Sequence, residues 1–281
     1  EDPVEKFLPA FRDPQVLIGG SYLKPALRPA QTILTVRDML MHTSGLTYGF
    51  HFANNLDKMY RESKFGSIWG QKNEAIETLE ETVDKLGEMP LLFDPGTNWN
   101  YSMSTDVCGR LIEVISGQNL NDYLNENIME PLGMSDTGFH VVPEKKHRFT
   151  SNYAFTPENP LMRIDEASKS HYLEPARFLS GGGGMVSTTD DYQRFTFMLL
   201  RGGESGGERI IGRHTLEFMT QNHLPNGRTL NEFGQSTFTE TRLEGMGCGL
   251  GFSVLENPTA NAAVGSKGEF AWGGAASTGF W

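Results

Sequence analysis

The stretch Asp94-Pro-Gly-Thr-Asn-Trp-Asn-Tyr101-Ser-Met-Ser-Thr-Asp106-Val-Cys-Gly109 sets a tyrosine immediately before a segment with helical periodicity. A phenol fixed at such a point is placed to move protons. Packing alone also accounts for it, since a tyrosine can close a helix N-terminus with its ring buried and its hydroxyl at the edge. His42-Thr-Ser44-Gly45 brings an imidazole near a hydroxyl, but the chain has no Gly-x-Ser-x-Gly elbow, and a helix C-terminus ending in Gly45 explains the string. Gly181 to Gly184 has neither the Gly-x-Gly-x-x-Gly spacing nor a Gly-Lys-Ser/Thr ending, so close backbone packing near a cleft is expected there rather than phosphate binding. Trp272-Gly-Gly reads as an edge strand thinned by glycine and anchored by its indole. The seven histidines show no ligand spacing, and no metal is implied.

These residues need elements to position them. Pro95 fixes φ and Gly96 permits φ > 0, so the chain reverses just before Tyr101, and Ser104 or Thr105 is placed to cap the helix that follows. Val107, Leu111, Val114 and Ile115 give that helix its apolar stripe, Cys108 and Ile112 widen it, and Gly117 stops it. Thr35 and Asp38 predict a capping box for a helix from Val36 to His42. A second helix is expected from Asn73, with Ile76, Leu79, Val83 and Leu86 as its stripe and Gly87 as its end, and a further one near Asn121. Ser187 or Thr188 caps a helix carrying Tyr192, Phe195, Met198 and Leu199, and another runs near His214 to His223. Glu1 to about Pro29 reads as a short helix and then a loop punctuated by Gly19, Gly20, Pro25 and Pro29. The stretch from Pro143 to Pro175 reads as a long loop or an extended return. Strands are expected over Gly249–Leu255, where Leu250, Phe252 and Val254 alternate, and over Gly268–Gly274 beyond an Asn257-Pro258 turn.

At 281 residues, 38% hydrophobic and 21% charged, the chain has the composition of a globular protein with a sizeable core. Its net charge of −11 argues against nucleic acid or an anionic membrane as partner. No apolar run is long enough to span a bilayer, and Cys108 and Cys248 are too few for a disulfide framework. Val4, Phe7 and Leu8 already need a core, and Gly279-Phe-Trp281 reads as mid-strand, so both ends are expected to be cut from a longer protein. Compartment and oligomeric state are left open by these features.

With Thr35-Val-Arg-Asp-Met-Leu-Met-His-Thr-Ser-Gly-Leu46 upstream, and Ser180-Gly-Gly-Gly-Gly-Met-Val-Ser-Thr-Thr-Asp-Asp191 and Trp272-Gly-Gly-Ala-Ala-Ser-Thr278 downstream, the Tyr101 segment resembles the serine β-lactamase and penicillin-binding-protein superfamily. Within it the likeness is greatest to class C β-lactamases and family VIII carboxylesterases. The resemblance implies a two-lobed α/β plus all-α fold of the β-lactamase/transpeptidase type, truncated at both ends. Residues 1–30 and 176–281 would form the α/β lobe, and 31–175 the helical lobe with its long return loop.

It also implies roles. Tyr101 would exchange protons with a serine nucleophile and the leaving group, and its phenol, with an ordinary pKa of about 10, would need a lysine cation or hydrogen bonds to work near neutrality. Trp272, Gly273 and Gly274 would replace the family's Lys-Thr-Gly, and Ala275 would offer an oxyanion N–H. Met103, where lactamases have Asn, would lie at a substrate-binding position without an amide to offer. The one Ser-x-x-Lys string, Ser21-Tyr-Leu-Lys24, is followed at once by Pro25 and preceded by two glycines, so it is expected on a loop and not as the nucleophile. The expected function is a serine hydrolase, most like a carboxylesterase, acting on a small ester or amide through an acyl-serine and needing no cofactor. The nucleophile would lie outside this segment. A β-lactamase or D-amino-acid peptidase, or a catalytically dead binding or assembly module, are the alternatives.

Overall fold

A computed structural model describes residues 1–63, 78–235 and 242–281. Proline breaks up the expected first helix: Val4–Lys6 and Pro9–Phe11 are separate 3-10 turns, with Pro9 opening the second. Val4, Leu8 and Phe11 are buried beneath them.

The segment expected as a loop is instead a β-hairpin, β1 (Gln15–Ser21) against β2 (Lys24–Pro29). Glycine makes it possible. Gly20 has φ +83°, and an added Cβ would collide with the Lys24 carbonyl and lie 2.7 Å from Ala26 N. Pro25 and Pro29 are tolerated because a two-stranded sheet has only edges. Lys58 closes over the turn, with its ammonium 3.7 Å from the centre of the Tyr22 ring.

Helix α1 (Val36–Met41) carries the expected capping box, with Asp38 N bonded to Thr35 Oγ1 at 3.2 Å and Thr35 N to Asp38 Oδ2 at 3.0 Å. Its left-handed C-cap is His42 (φ 57°), not Gly45 as the sequence suggests. Helix α2 (Asn55–Glu62) follows. Helix α3 (Leu79–Gly87) starts at an extended Thr78 that forms its own capping box with Glu81, which corrects the expected start at Asn73. Asn73 and Ile76 themselves lie outside the described residues.

In α4 (Ser104–Ser116) the N-cap is Met103 and makes no side-chain cap, so neither Ser104 nor Thr105 caps the helix; Gly117 ends it as expected. Asn119 caps α5 (Leu120–Leu124), and a π turn (Asn125–Met129) leads into α6 (Glu130–Leu132). The stretch from Pro143 to Pro175 has more structure than a loop: 3-10 turns at Pro143–Arg148 and His171–Leu173 flank a hairpin of β3 (Asn152–Ala154) and β4 (Met162–Asp165). Thr188 caps α7 (Thr189–Leu200), a short hairpin pairs β5 (Glu204–Ser205) with β6 (Glu208–Arg209), and α8 (Arg213–Met219) follows.

The C-terminal sheet is antiparallel, in the order β10 (Gly279–Phe280), β9 (Phe270–Gly273), β8 (Ser253–Leu255), β7 (Met246–Cys248). Of the expected strand Gly249–Leu255, only Ser253–Leu255 is a strand, as β8. Gly251 at φ +91° turns the chain between β7 and β8, and Gly249 N reaches back to Phe252 O at 2.8 Å. Asn257 caps a short helix (Pro258–Asn261) rather than making a simple turn.

The main core gathers Val4, Leu8 and Met39 with Trp99, Tyr101, Met103, Val107 and Leu111, and reaches the sheet at Met246, Cys248 and Leu255. A second cluster joins Met129, Leu132 and Met134 to Met198, Leu199, Leu216 and Phe252. Each such aliphatic side chain contributes roughly 1.5–3 kcal/mol by leaving water. Both cysteines are free thiols, and burial pushes Cys248 up to about 12.

Candidate active site

Tyr101 is placed by main-chain bonds between two segments far apart in sequence. Leu92 N bonds to Gly45 O (2.7 Å), Gly96 N to Thr43 O (2.9 Å), Asn100 N to His42 O (3.0 Å) and Met103 N to Thr47 O (3.3 Å). The stretch after the Pro95-Gly96 turn is therefore clamped along its length to the stretch leaving α1. Fully buried Asn100 adds its amide, which donates to Leu46 O (3.0 Å) and Tyr101 O (3.2 Å). His51 Nε2 donates to the same Tyr101 carbonyl at 2.7 Å, since a carbonyl can only accept. The turn itself is pinned by Asp94, whose carboxylate accepts both ends of the Arg28 guanidinium (2.9 and 2.6 Å) and Gln31 N (2.8 Å). The Arg28 hydrogen bonds hold the Asp94 carboxyl down at about 2.

The Tyr101 ring, 7% exposed, sits among aromatic neighbours. His42 lies 5.0 Å away edge-on, Tyr48 4.9 Å away and tilted, and Trp272 of β9 5.7 Å away. The expected pairing of the Tyr101 and Trp272 segments is thus present in the fold, 171 positions apart. His42 also stacks on Trp272, with centres 6.0 Å apart and planes 19° from parallel. Beyond Trp272 the chain makes a tight turn in which Gly274 N bonds to Thr278 O (2.8 Å) and Ser277 N to Gly274 O (3.0 Å). Ala275 is exposed on that turn, and its N–H makes no hydrogen bond among the described residues.

One sequence expectation is corrected here. Met103 is turned into the main core at 2% exposure, so its side chain packs and does not line a substrate surface. Ser21 and Lys24 face each other across the tip of the β1–β2 hairpin, both exposed, with Lys24 N bonded to Ser21 Oγ at 3.2 Å. They are not one turn apart on a helix face. The glycine run behaves as expected: Gly181 lies against α4, where an added Cβ would overlap Thr105 O and come within 3.1 Å of Gly109 Cα. Asp106 holds that run down by accepting from Ser180 Oγ (2.5 Å) and Gly182 N (3.3 Å), and burial raises its carboxyl above the usual range.

Sequence reasoning missed the hydroxyls behind Tyr101. Ser44, Ser102 and Ser104 are fully buried and linked to one another and to His42. The available signal was the alternation Ser102-Met103-Ser104 between an apolar Trp99 and Val107, which puts two small hydroxyls on one side of the chain.

An aromatic-walled tyrosine facing a glycine-rich β-strand end, with helices on one side and an antiparallel sheet on the other, defines a β-lactamase/transpeptidase-like fold. A family model described as Beta-lactamase matches residues 1–281, and the chain belongs to this family. Among solved structures it is similar to EstCE1, a hydrolase with promiscuous acyltransferase activity, at 27% identity and TM-score 0.73, over 98% of this chain and 67% of that one. It is 28% identical to the esterase EstB of Burkholderia gladioli, over 97% of this chain and 64% of that protein. It is 30% identical to a Mycobacterium tuberculosis protein, Rv1367c, over 99% of this chain and 66% of that one. The chain spans about two thirds of the length of these curated relatives.

Proposed function

We propose that the full protein is a serine hydrolase of the esterase type, which acylates a serine with a small ester and releases the acid to water. In this reading Tyr101 takes the serine proton and returns it to the departing alkoxide, while Ala275 N–H binds the oxyanion. Trp272, Gly273 and Gly274 form an uncharged wall for the acyl group. Residues 1–30 and 176–281 form the α/β lobe and 31–175 the helical lobe. The Ser-x-x-Lys pair lies in a part of the protein outside these 281 residues, because Ser21 and Lys24 occupy a hairpin tip.

The observation that carries the reading is the 5.7 Å approach of the Tyr101 and Trp272 rings, since proton transfer and oxyanion binding must act on one tetrahedral carbon. The esterase and hydrolase relatives support the ester preference. The wall also supports it: a β-lactam carboxylate would find no cation at Trp272, and no amide at Met103, which points inward. The test compares kcat/KM for p-nitrophenyl butyrate and a cephalosporin on the full protein. The ester should be favoured, and Tyr101→Phe should lower its turnover by about 10²–10⁴-fold. Faster cephalosporin turnover would establish a β-lactamase instead, and failure to turn over either would favour a binding or assembly module.

A further inference from the structure

A line of buried hydroxyls behind Tyr101 ends on an imidazole. Leu46 N donates to Ser44 Oγ at 3.1 Å. Ser44 Oγ is 2.7 Å from Ser104 Oγ, Ser104 Oγ is 2.8 Å from Ser102 Oγ, and Ser102 Oγ is 3.2 Å from His42 Nδ1. Each hydroxyl has one proton to give, so the line can be oriented in two senses. If His42 Nδ1 donated, the protons would be handed on toward Ser44. Its oxygen would then take two donors, Ser104 and Leu46, and its own proton would have no acceptor among the described residues. A buried donor left unpaired forfeits its hydration with nothing in return. In the opposite sense every hydroxyl proton has an acceptor: Ser44 donates to Ser104, Ser104 to Ser102, and Ser102 to His42 Nδ1.

We propose that this line fixes His42 as the Nε2–H tautomer and makes it a permanently uncharged hydrogen-bond donor, directed at an acceptor oxygen of the substrate between Tyr101 and Trp272. Its ring touches both of those aromatics and is 5% exposed. Nε2 has no protein partner among the described residues, and it is not one of the buried unpaired atoms, so it keeps an opening to solvent. Burial pushes the imidazolium down to about 3, and a charge on His51 acts in the same direction. Among the described residues, the titratable groups around the ring are Tyr101 and His51. The nearest carboxylate on its own helix, Asp38, is engaged by the Thr35 and Thr43 hydroxyls at 2.5 and 2.8 Å. Behind α1 the Cys248 thiol bonds to Met41 O. Among the described residues, no carboxylate is therefore placed to hold a second proton on His42. A neutral donor suits the carbonyl or alkoxy oxygen of an uncharged ester, and this substrate role rests on the acyl-transfer reading above.

The tautomer can be read without turnover. In the full protein carrying 15N-labelled histidine, His42, assigned with His42→Gln, should show a bare Nδ1 and a protonated Nε2 that stay constant from pH 5 to 8. An Nδ1–H form, or titration inside that range, overturns the proposal. Ser104→Ala cuts the line without touching the ring, so a mixture of tautomers should appear, and Ser104→Thr should restore a single one. An unchanged spectrum in Ser104→Ala overturns the role of the hydroxyls. For the substrate contact, His42→Phe should lower kcat/KM for p-nitrophenyl butyrate about tenfold, while His42→Gln, which keeps a donor, should retain most of it. Equal activity in all three proteins overturns the contact. If the ring variants fail to fold, Ser104→Ala supplies the same comparison, with a severalfold loss expected and none refuting it. A wild-type protein with the expected tautomer and no ester turnover would sink the acyl-transfer reading alone.

Discussion

Replacing Gly181 with alanine should damage both stability and activity, whereas the same change two positions on, at Gly183, should do neither. At Gly181 the new methyl would overlap the Thr105 carbonyl oxygen and lie 3.0 Å from Gly109 N and 3.1 Å from Gly109 Cα. All three contacts are main-chain atoms of α4, so no side chain can swing away, and the loop and helix must separate by a substantial fraction of an ångström. Overpacking of this kind destabilises by about 1–3 kcal/mol. Asp106, which ties Ser180 and Gly182 to the same helix turn, resists the separation and transmits it to the start of α4, three residues after Tyr101. A displacement near 1 Å at a reacting group can lower turnover about 10²-fold. At Gly183 a Cβ meets nothing within 4 Å, and the backbone is not left-handed. The assay is urea denaturation of the full protein and kcat/KM for p-nitrophenyl butyrate for each variant. If Gly181→Ala matched Gly183→Ala in both measurements, the clamp between the glycine run and α4 would have no role in placing Tyr101.

Arg28→Ala should destabilise the protein near neutral pH, because the Asp94 carboxylate loses both guanidinium bonds. Asp94 is held at about 2 against an ordinary 3.8, so its contribution is complete above about pH 4 and is lost as pH falls from there through about 2. The difference between wild type and variant in denaturation should shrink over that window, and a constant difference would refute the pairing. Ser21→Ala should leave ester turnover within twofold of wild type, since the hydroxyl sits at an exposed hairpin tip and, among the described residues, bonds only to Lys24 N; a loss of turnover would make Ser21 the nucleophile after all.

What was legible in the sequence was local chemistry. The Thr35 and Asp38 capping box, the Thr188 cap and the Gly117 stop each depend on residues within one turn of each other, and each stands in the fold. The errors arose where a distant partner outbid a local preference. Ser104 has the chemistry of a helix cap, but its hydroxyl is taken by Ser44, sixty positions upstream. His42 occupies the left-handed cap that glycine would favour because its ring is held by Trp99, Tyr101 and Trp272. Gly19 and Gly20 looked like loop punctuation, yet both lie in β1, and Gly20 is what lets that strand pass close to β2. The alternation Leu250, Phe252, Val254 satisfied a strand pattern, but Gly251 sits in a backbone region that turns the chain. Tyr101 and Trp272 were each visible as candidates through the family resemblance, while the buried hydroxyls behind them were not, since nothing in a single sequence shows that Ser44 and Ser102 share a neighbour.

The main-chain ladder between residues 42–47 and 92–103 also sets an order of assembly. The turns of α1 can form and melt within about a microsecond from local contacts alone. Joining His42 O to Asn100 N requires closing a loop of roughly 60 residues, at about 3–4 kcal/mol of chain entropy, before the first rung returns anything. Tyr101 therefore has no defined position in any partly folded state in which that loop is open, however much helix such a state contains. Acquisition of the ladder, and not of secondary structure, is the step in folding at which the site comes into existence.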